Sequence, residues 1–128
     1  MPNNWAYPPS ALVSRTAAEL GPQPYARVWK ALEAASQFPG AELTSWYRDP
    51  LRNQRAGGTL LSQHQLGLAL DLYAANLNEL AAHLRQAVPG GRVVVEARPP
   101  HVHFQALPSM TAAARSLIGA LRLTRTGR

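Results

Sequence analysis

Between Gly67 and Tyr73, Leu68, Leu70 and Leu72 alternate with Gly67, Ala69, Asp71 and Tyr73. A period of two is that of a β-strand with one apolar face and one face of small or polar groups. A carboxylate on the second face is costly to bury unless it is paired or bound to a cation. The segment therefore asks for a sheet covered on its leucine side and lined, on its Asp71 side, by groups that satisfy a charge.

The rest of the chain supplies the cover. Residues 1–23 contain Pro8, Pro9, Gly21 and Pro22 and read as an irregular lead-in around a short helical piece near Ser10 to Glu19. From Pro24, a favourable first-turn residue, Tyr25, Val28, Leu32 and Ala35 recur at helical spacing until Pro39 and Gly40. A strand follows over Leu43 to Tyr47, then a polar loop over Asp49 to Gly58 with room for one helical turn. After the leucine strand, Leu77, Leu80, Ala81, Leu84 and Val88 predict a helix capped by Asn76 and stopped by Pro89, Gly90 and Gly91. Arg92 to Glu96 and His101 to Ala106 read as strands separated by Pro99 and Pro100, and Thr111 to Leu123 as a final helix. This order predicts an α+β fold, a single domain over residues 1–128 with a small, largely antiparallel sheet, helices packed on one face and a cleft on the other. The core of the site is expected within residues 43–106.

Composition narrows the chemistry. No cysteine is present, so a metal would have to be held by His, Asp or Glu, and cysteine nucleophiles are excluded. The net charge of +6 suits an anionic partner. Four basic residues cluster in the last segment, Arg115, Arg122, Arg125 and Arg128, and the others are scattered without interleaved aromatics, which argues against a specific nucleic-acid footprint. No apolar run approaches the roughly 20 residues of a membrane span, and MPNNWAYPPSALVSR lacks the order of a secretory signal. A soluble, untargeted monomer is expected.

Alternation puts His101 and His103 on one face of their strand and Val102 and Phe104 on the other. Adjacent imidazoles invite a metal, and His64 lies seven residues before Asp71, with Gly67 allowing a tight approach between them. Two histidines and one carboxylate leave a tetrahedral zinc one open position, the arrangement of a catalytic site. Taken singly, each residue has an ordinary explanation: His64 as a surface or hydrogen-bonded ring, Asp71 as a cap or an arginine partner. Ser62, His64 and Asp71 also allow a serine triad on paper, although nothing resembles a nucleophile elbow.

The stretch SWYRDPLRNQRAGGTLLSQHQLGLALDL resembles the zinc D-alanyl-D-alanine carboxypeptidase family. That family's pattern is a Tyr-Arg pair, an Asn, a Gly and then SxHxxGxAxD, matched here by Tyr47, Arg48, Asn53, Gly58, Ser62, His64, Gly67, Ala69 and Asp71. EARPPHVHF matches its second half, a carboxylate followed by HxH. The resemblance implies Zn2+ held by His64, Asp71 and His103, and Glu96 as general base. His101 would face the site and steady the oxyanion, and Arg48 would bind a substrate carboxylate or carbonyl. It further implies a metallopeptidase cutting peptidoglycan peptides, as a D,D-carboxypeptidase or as an L,D-endopeptidase like those of phage endolysins. Since the hedgehog domain shares the fold, a non-catalytic zinc-bearing module that binds wall or builds a virion is the alternative.

Overall fold

The computed structural model describes residues 5–126; the first residues of the lead-in and Arg128 of the terminal basic cluster lie outside them. Ten elements follow one another. They are α1 (Ser10–Leu20), α2 (Gln23–Ser36), β1 (Glu42–Ser45), α3 (Pro50–Arg55), a 3₁₀ turn (Gln63–Leu66), β2 (Ala69–Tyr73), α4 (Leu77–Ala87), β3 (Arg92–Ala97), β4 (Pro100–Gln105) and α5 (Ala112–Thr126). The four strands form one antiparallel sheet in the order β1-β2-β4-β3, the α+β arrangement that the sequence predicts.

Alternation settles which face is which. Leu70 pairs with Phe104 and Leu72 with Val102, and all four are almost fully buried. Burying each such side chain is worth roughly 1.5–3 kcal/mol, so a one-residue slip that turned this row outward would unfold the sheet. Val28, Ala31, Leu80, Leu84, Leu12 and Ile118 from α2, α4, α1 and α5 belong to the same core. On α4 the apolar positions Leu80, Ala81 and Leu84 make one stripe, and the Asn76 side chain accepts from the Glu79 amide at 3.0 Å to cap the helix. Among the described residues no helix is long and apolar enough to cross a membrane.

Three expectations need adjustment. The strand expected over Leu43 to Tyr47 ends at Ser45, because Trp46 leaves the sheet to become buried and donates its indole N–H to the Gly67 carbonyl at 2.9 Å. Gly67 itself precedes the strand: it takes φ 71°, and a Cβ there would stand 2.5 Å from Cβ of Pro8, so both backbone conformation and space demand glycine. The loop with room for one turn is a six-residue helix, started by the Asp49 carboxylate accepting from the Arg52 amide at 2.8 Å and by Pro50. Beyond α3, the segment Ala56 to Ser62 walls the cleft side of the sheet.

The β3–β4 connection is tight. Ala97 pairs with Pro100, leaving only Arg98 and Pro99 in the turn. Pro100 opens β4, a position where a missing backbone donor is tolerated. As a result Glu96 lies directly across from His101, and Val94 across from His103.

Candidate metal centre

On the uncovered face of the sheet, a cleft of about 870 Å³ runs between the Ala56 to Ser62 segment and β3. Its floor is Asp71 on β2 and His101, His103 and Gln105 on β4. His64 reaches it from the 3₁₀ turn. Ser62 caps that turn by accepting from the His64 amide at 3.2 Å, and Gly67 closes it in the left-handed conformation. Tyr25 of α2 anchors the same turn through its hydroxyl, which donates to the Leu66 carbonyl at 2.6 Å.

Asp71 is the hub. Its Oδ2 accepts from Arg48 Nη2 at 2.8 Å, while Oδ1 faces three imidazole nitrogens: His103 Nδ1 at 3.0 Å, His64 Nε2 at 3.2 Å and His101 Nε2 at 3.6 Å. The far side of each ring meets an oxygen that can only accept. His64 Nδ1 donates to the Trp46 carbonyl at 2.5 Å, and His101 Nδ1 to the Pro99 carbonyl at 2.6 Å. His103 Nε2 donates to Gln105 Oε1 at 3.0 Å; that amide is oriented by its own Nε2, which donates to the Leu107 carbonyl at 2.9 Å. With the outer nitrogens thus protonated, each neutral ring aims a lone pair at Asp71 Oδ1. Lone pairs converging on a carboxylate oxygen repel unless a proton or a metal cation lies among them, and outer-shell acceptors of this kind orient histidine ligands.

The titration of the cluster follows from this geometry. Burial, with the ring 2% exposed, pushes His64 below the ordinary imidazole range and outweighs its hydrogen bond with Asp71. Burial opposes charge on His103 as well, but there the Asp71 and Gln105 hydrogen bonds and the charges of Asp71 and Glu96 win, and the pKa rises. Burial would raise Asp71, yet hydrogen bonds with His103 and His64 and their charges hold it far below the usual carboxylate range.

The donor set fits zinc. Ligand atoms roughly 2.0–2.1 Å from a tetrahedral zinc lie about 3.3 Å from one another, and the two His–Asp separations of 3.2 and 3.0 Å are already close to that. All three candidate ligand atoms of His64, Asp71 and His103 lie within 4.8 Å of one another. Two nitrogens and one oxygen could hold the ion and leave a coordination position facing the cleft.

The six residues singled out from the sequence all line this cleft: Arg48, His64, Asp71, Glu96, His101 and His103. Arg48 is engaged with Asp71 and, through Nε, with Ser45 Oγ at 3.1 Å. Glu96 is exposed on edge strand β3, one row from His103 on the same face. The serine-triad alternative is corrected. Ser62 Oγ meets the backbone of His64, while the two ring nitrogens face Trp46 and Asp71, so no imidazole is available to a serine nucleophile.

Three glutamines escaped the sequence reading. Gln105 continues the period of two from His101 and His103, so alternation alone could have found it. Gln63 pairs with both backbone groups of Leu107, at 2.7 and 3.0 Å, and Gln65 donates to the carbonyls of Leu60 and Ser62, at 2.9 and 3.2 Å. Neither carries a periodic signal. The Asn and Gly of the motif likewise act on the backbone around the cleft. Asn53 Nδ2 donates to the Thr59 carbonyl at 2.8 Å, and a Cβ on Gly58 would fall 2.1 Å from Asn53 Oδ1. Together they shape the wall segment that ends at Ser62.

A family model described as Peptidase M15 matches residues 14–105, and neither a curated protein nor a solved structure matches the chain. The match takes in α2, all four strands and every residue of the cluster. The chain therefore belongs to the Peptidase M15 family, the zinc D-alanyl-D-alanine carboxypeptidases, and is a zinc metallopeptidase by family.

Proposed function

We propose that the protein hydrolyses amide bonds in the peptide of bacterial cell wall, with zinc held by His64 Nε2, Asp71 Oδ1 and His103 Nδ1. The carrying observation is the convergence of imidazole lone pairs on one carboxylate oxygen, with every outer ring nitrogen fixed by a protein acceptor. Zinc bound there supplies Lewis acidity to a substrate carbonyl and to the water that attacks it. Glu96, opposite His101 and lining the cleft, takes a proton from that water and returns it to the leaving nitrogen. His101, its ring fixed by the Pro99 carbonyl, presents Nε2 to the cleft and steadies the developing oxyanion. Arg48 holds Asp71 in place through Oδ2, and its guanidinium lines the cleft where a substrate carbonyl or carboxylate can reach it.

The bond is that of a D,D-carboxypeptidase or of an L,D-endopeptidase acting on the peptidoglycan stem. A test combines zinc analysis of the purified protein with release of amines or D-alanine from purified wall. One zinc per chain and release by the wild type, with release lost in Glu96→Ala at unchanged zinc content, supports the reading. Zinc without release by the wild type supports the alternative, a non-catalytic zinc-bearing module that binds wall. Release undiminished in Glu96→Ala removes that residue as the base.

A further inference from the structure

Three rows of paired residues cross the cleft floor: Glu96 with His101, Val94 with His103, and Arg92 with Gln105. The metal cluster occupies the middle row, because Asp71 also pairs with His103. Glu96 and Arg92 therefore stand on opposite sides of it. Successive same-face rows are separated by about 6.8 Å, the span of two residues in an extended peptide. Arg98, in the two-residue turn, lies beyond Glu96 at the other end of the cleft.

The charges of this floor are unbalanced. Arg48 is paired with Asp71, which leaves Glu96 as the acid facing Arg92 and Arg98 along the cleft. Arg92 is exposed, and its guanidinium has no hydrogen-bond or ion-pair partner among the described residues. Resting on the peptidase reading, the direction of a bound substrate follows. A base that hands its proton to the leaving nitrogen must sit beside the leaving half, so that half extends toward Glu96 and Arg98. The acyl half then runs toward Arg92.

From this placement the geometry points to Arg92 as a specificity residue that binds a carboxylate on the acyl half of the substrate, within two residues of the scissile bond. The substrate class is a peptide acidic on its amino-terminal side of the cut, and a planar fork of donors suits that group. Glu96 occupies the opposite row and does not compete for it.

Binding and turnover test this separately. The probes are a stem peptide ending in D-Ala-D-Ala, labelled at its amino terminus and carrying free internal carboxylates, and its twin with those carboxylates amidated. Zinc-loaded wild type is expected to bind the acidic form roughly five- to tenfold more tightly by fluorescence anisotropy, the range of a partly exposed to a well-formed charged pair. Arg92→Gln should bring that ratio close to one, Arg92→Lys should restore part of it, and Arg92→Glu should invert it. Because Arg92 is exposed on an edge strand, zinc content serves as the control that each variant is folded. A ratio that survives in Arg92→Gln overturns the assignment, as does one lost in Arg98→Gln instead. Acid preference without D-alanine or amine release would defeat the peptidase reading and leave Arg92 standing. Release with equal binding of both peptides would do the reverse.

Discussion

His64 and Glu96 stand on the same cleft in contrasting surroundings. The imidazole is 2% exposed, rises from a turn held by Tyr25, Ser62 and Gly67, and has both ring nitrogens engaged. The carboxylate is exposed on an edge strand, two residues before a turn of only two residues, and is held in place by its backbone register. One wall is built to keep a ligand in a single orientation before any ion arrives, and that preorganisation lowers the cost of binding. The other keeps its groups accessible to solvent, where protons are exchanged and substrates enter.

Breaking the two walls should have separable consequences. On the buried side, His64→Ala removes one ligand and leaves the Asp71 carboxylate short of a partner. Bound zinc, read by elemental analysis after dialysis, should fall from one per chain to below about a tenth. On the exposed side, Glu96→Ala should reduce turnover by about 10²- to 10⁴-fold while zinc content holds. Zinc loss in Glu96→Ala, or its retention in His64→Ala, would erase the distinction.

Gln105 sharpens the comparison because it pairs with exposed Arg92 of the edge strand yet serves the buried cluster. Its carbonyl receives the His103 Nε2 proton and so selects Nδ1 for the metal. Gln105→Leu should weaken zinc roughly 10- to 100-fold in a competition with a chelator, the range seen when outer-shell partners are removed. Gly67→Ala probes the buried wall through the backbone. With φ at 71° and Pro8 2.5 Å from the new Cβ, the loss should be about 2 kcal/mol in denaturant unfolding.

The smallest effect expected is that of pH on zinc affinity. In the metal-free protein the His103 pKa is raised above 6.5, so the proton on that ring stabilises the fold below pH 6.5, and this contribution is lost as pH rises through the raised value. Zinc must displace the same proton. Its affinity should therefore climb across that window by about tenfold per pH unit, with one proton released, and then level off. His64, whose pKa is lowered by burial, should contribute no proton there. Calorimetry in buffers of different ionisation enthalpy counts the proton.

Much of this molecule was legible in residue order, because the signals are periodic. The leucine alternation of β2 oriented the sheet, the 3.6-residue stripes marked α2 and α4, and the HxH spacing placed two imidazoles on one face, all through local geometry that tertiary context did not overrule. The SxHxxGxAxD motif pointed to residues that the fold does bring together, although its reasons were hidden in it. Ser62 is a cap, Gly67 a left-handed closure against Pro8, and Gly58 a space kept for the Asn53 amide.

What local order could not decide is which groups meet across the chain. The Trp46 carbonyl selects the His64 tautomer from 18 residues away, and Asp71 and His103 come together across 32 residues only because β4 inserts between β2 and β3. The two-residue turn puts Glu96 and His103 in adjacent rows on one face. Periodicity is a property of neighbours and survives in sequence; the convergence of three imidazoles on one oxygen depends on strand order and register, which packing alone establishes.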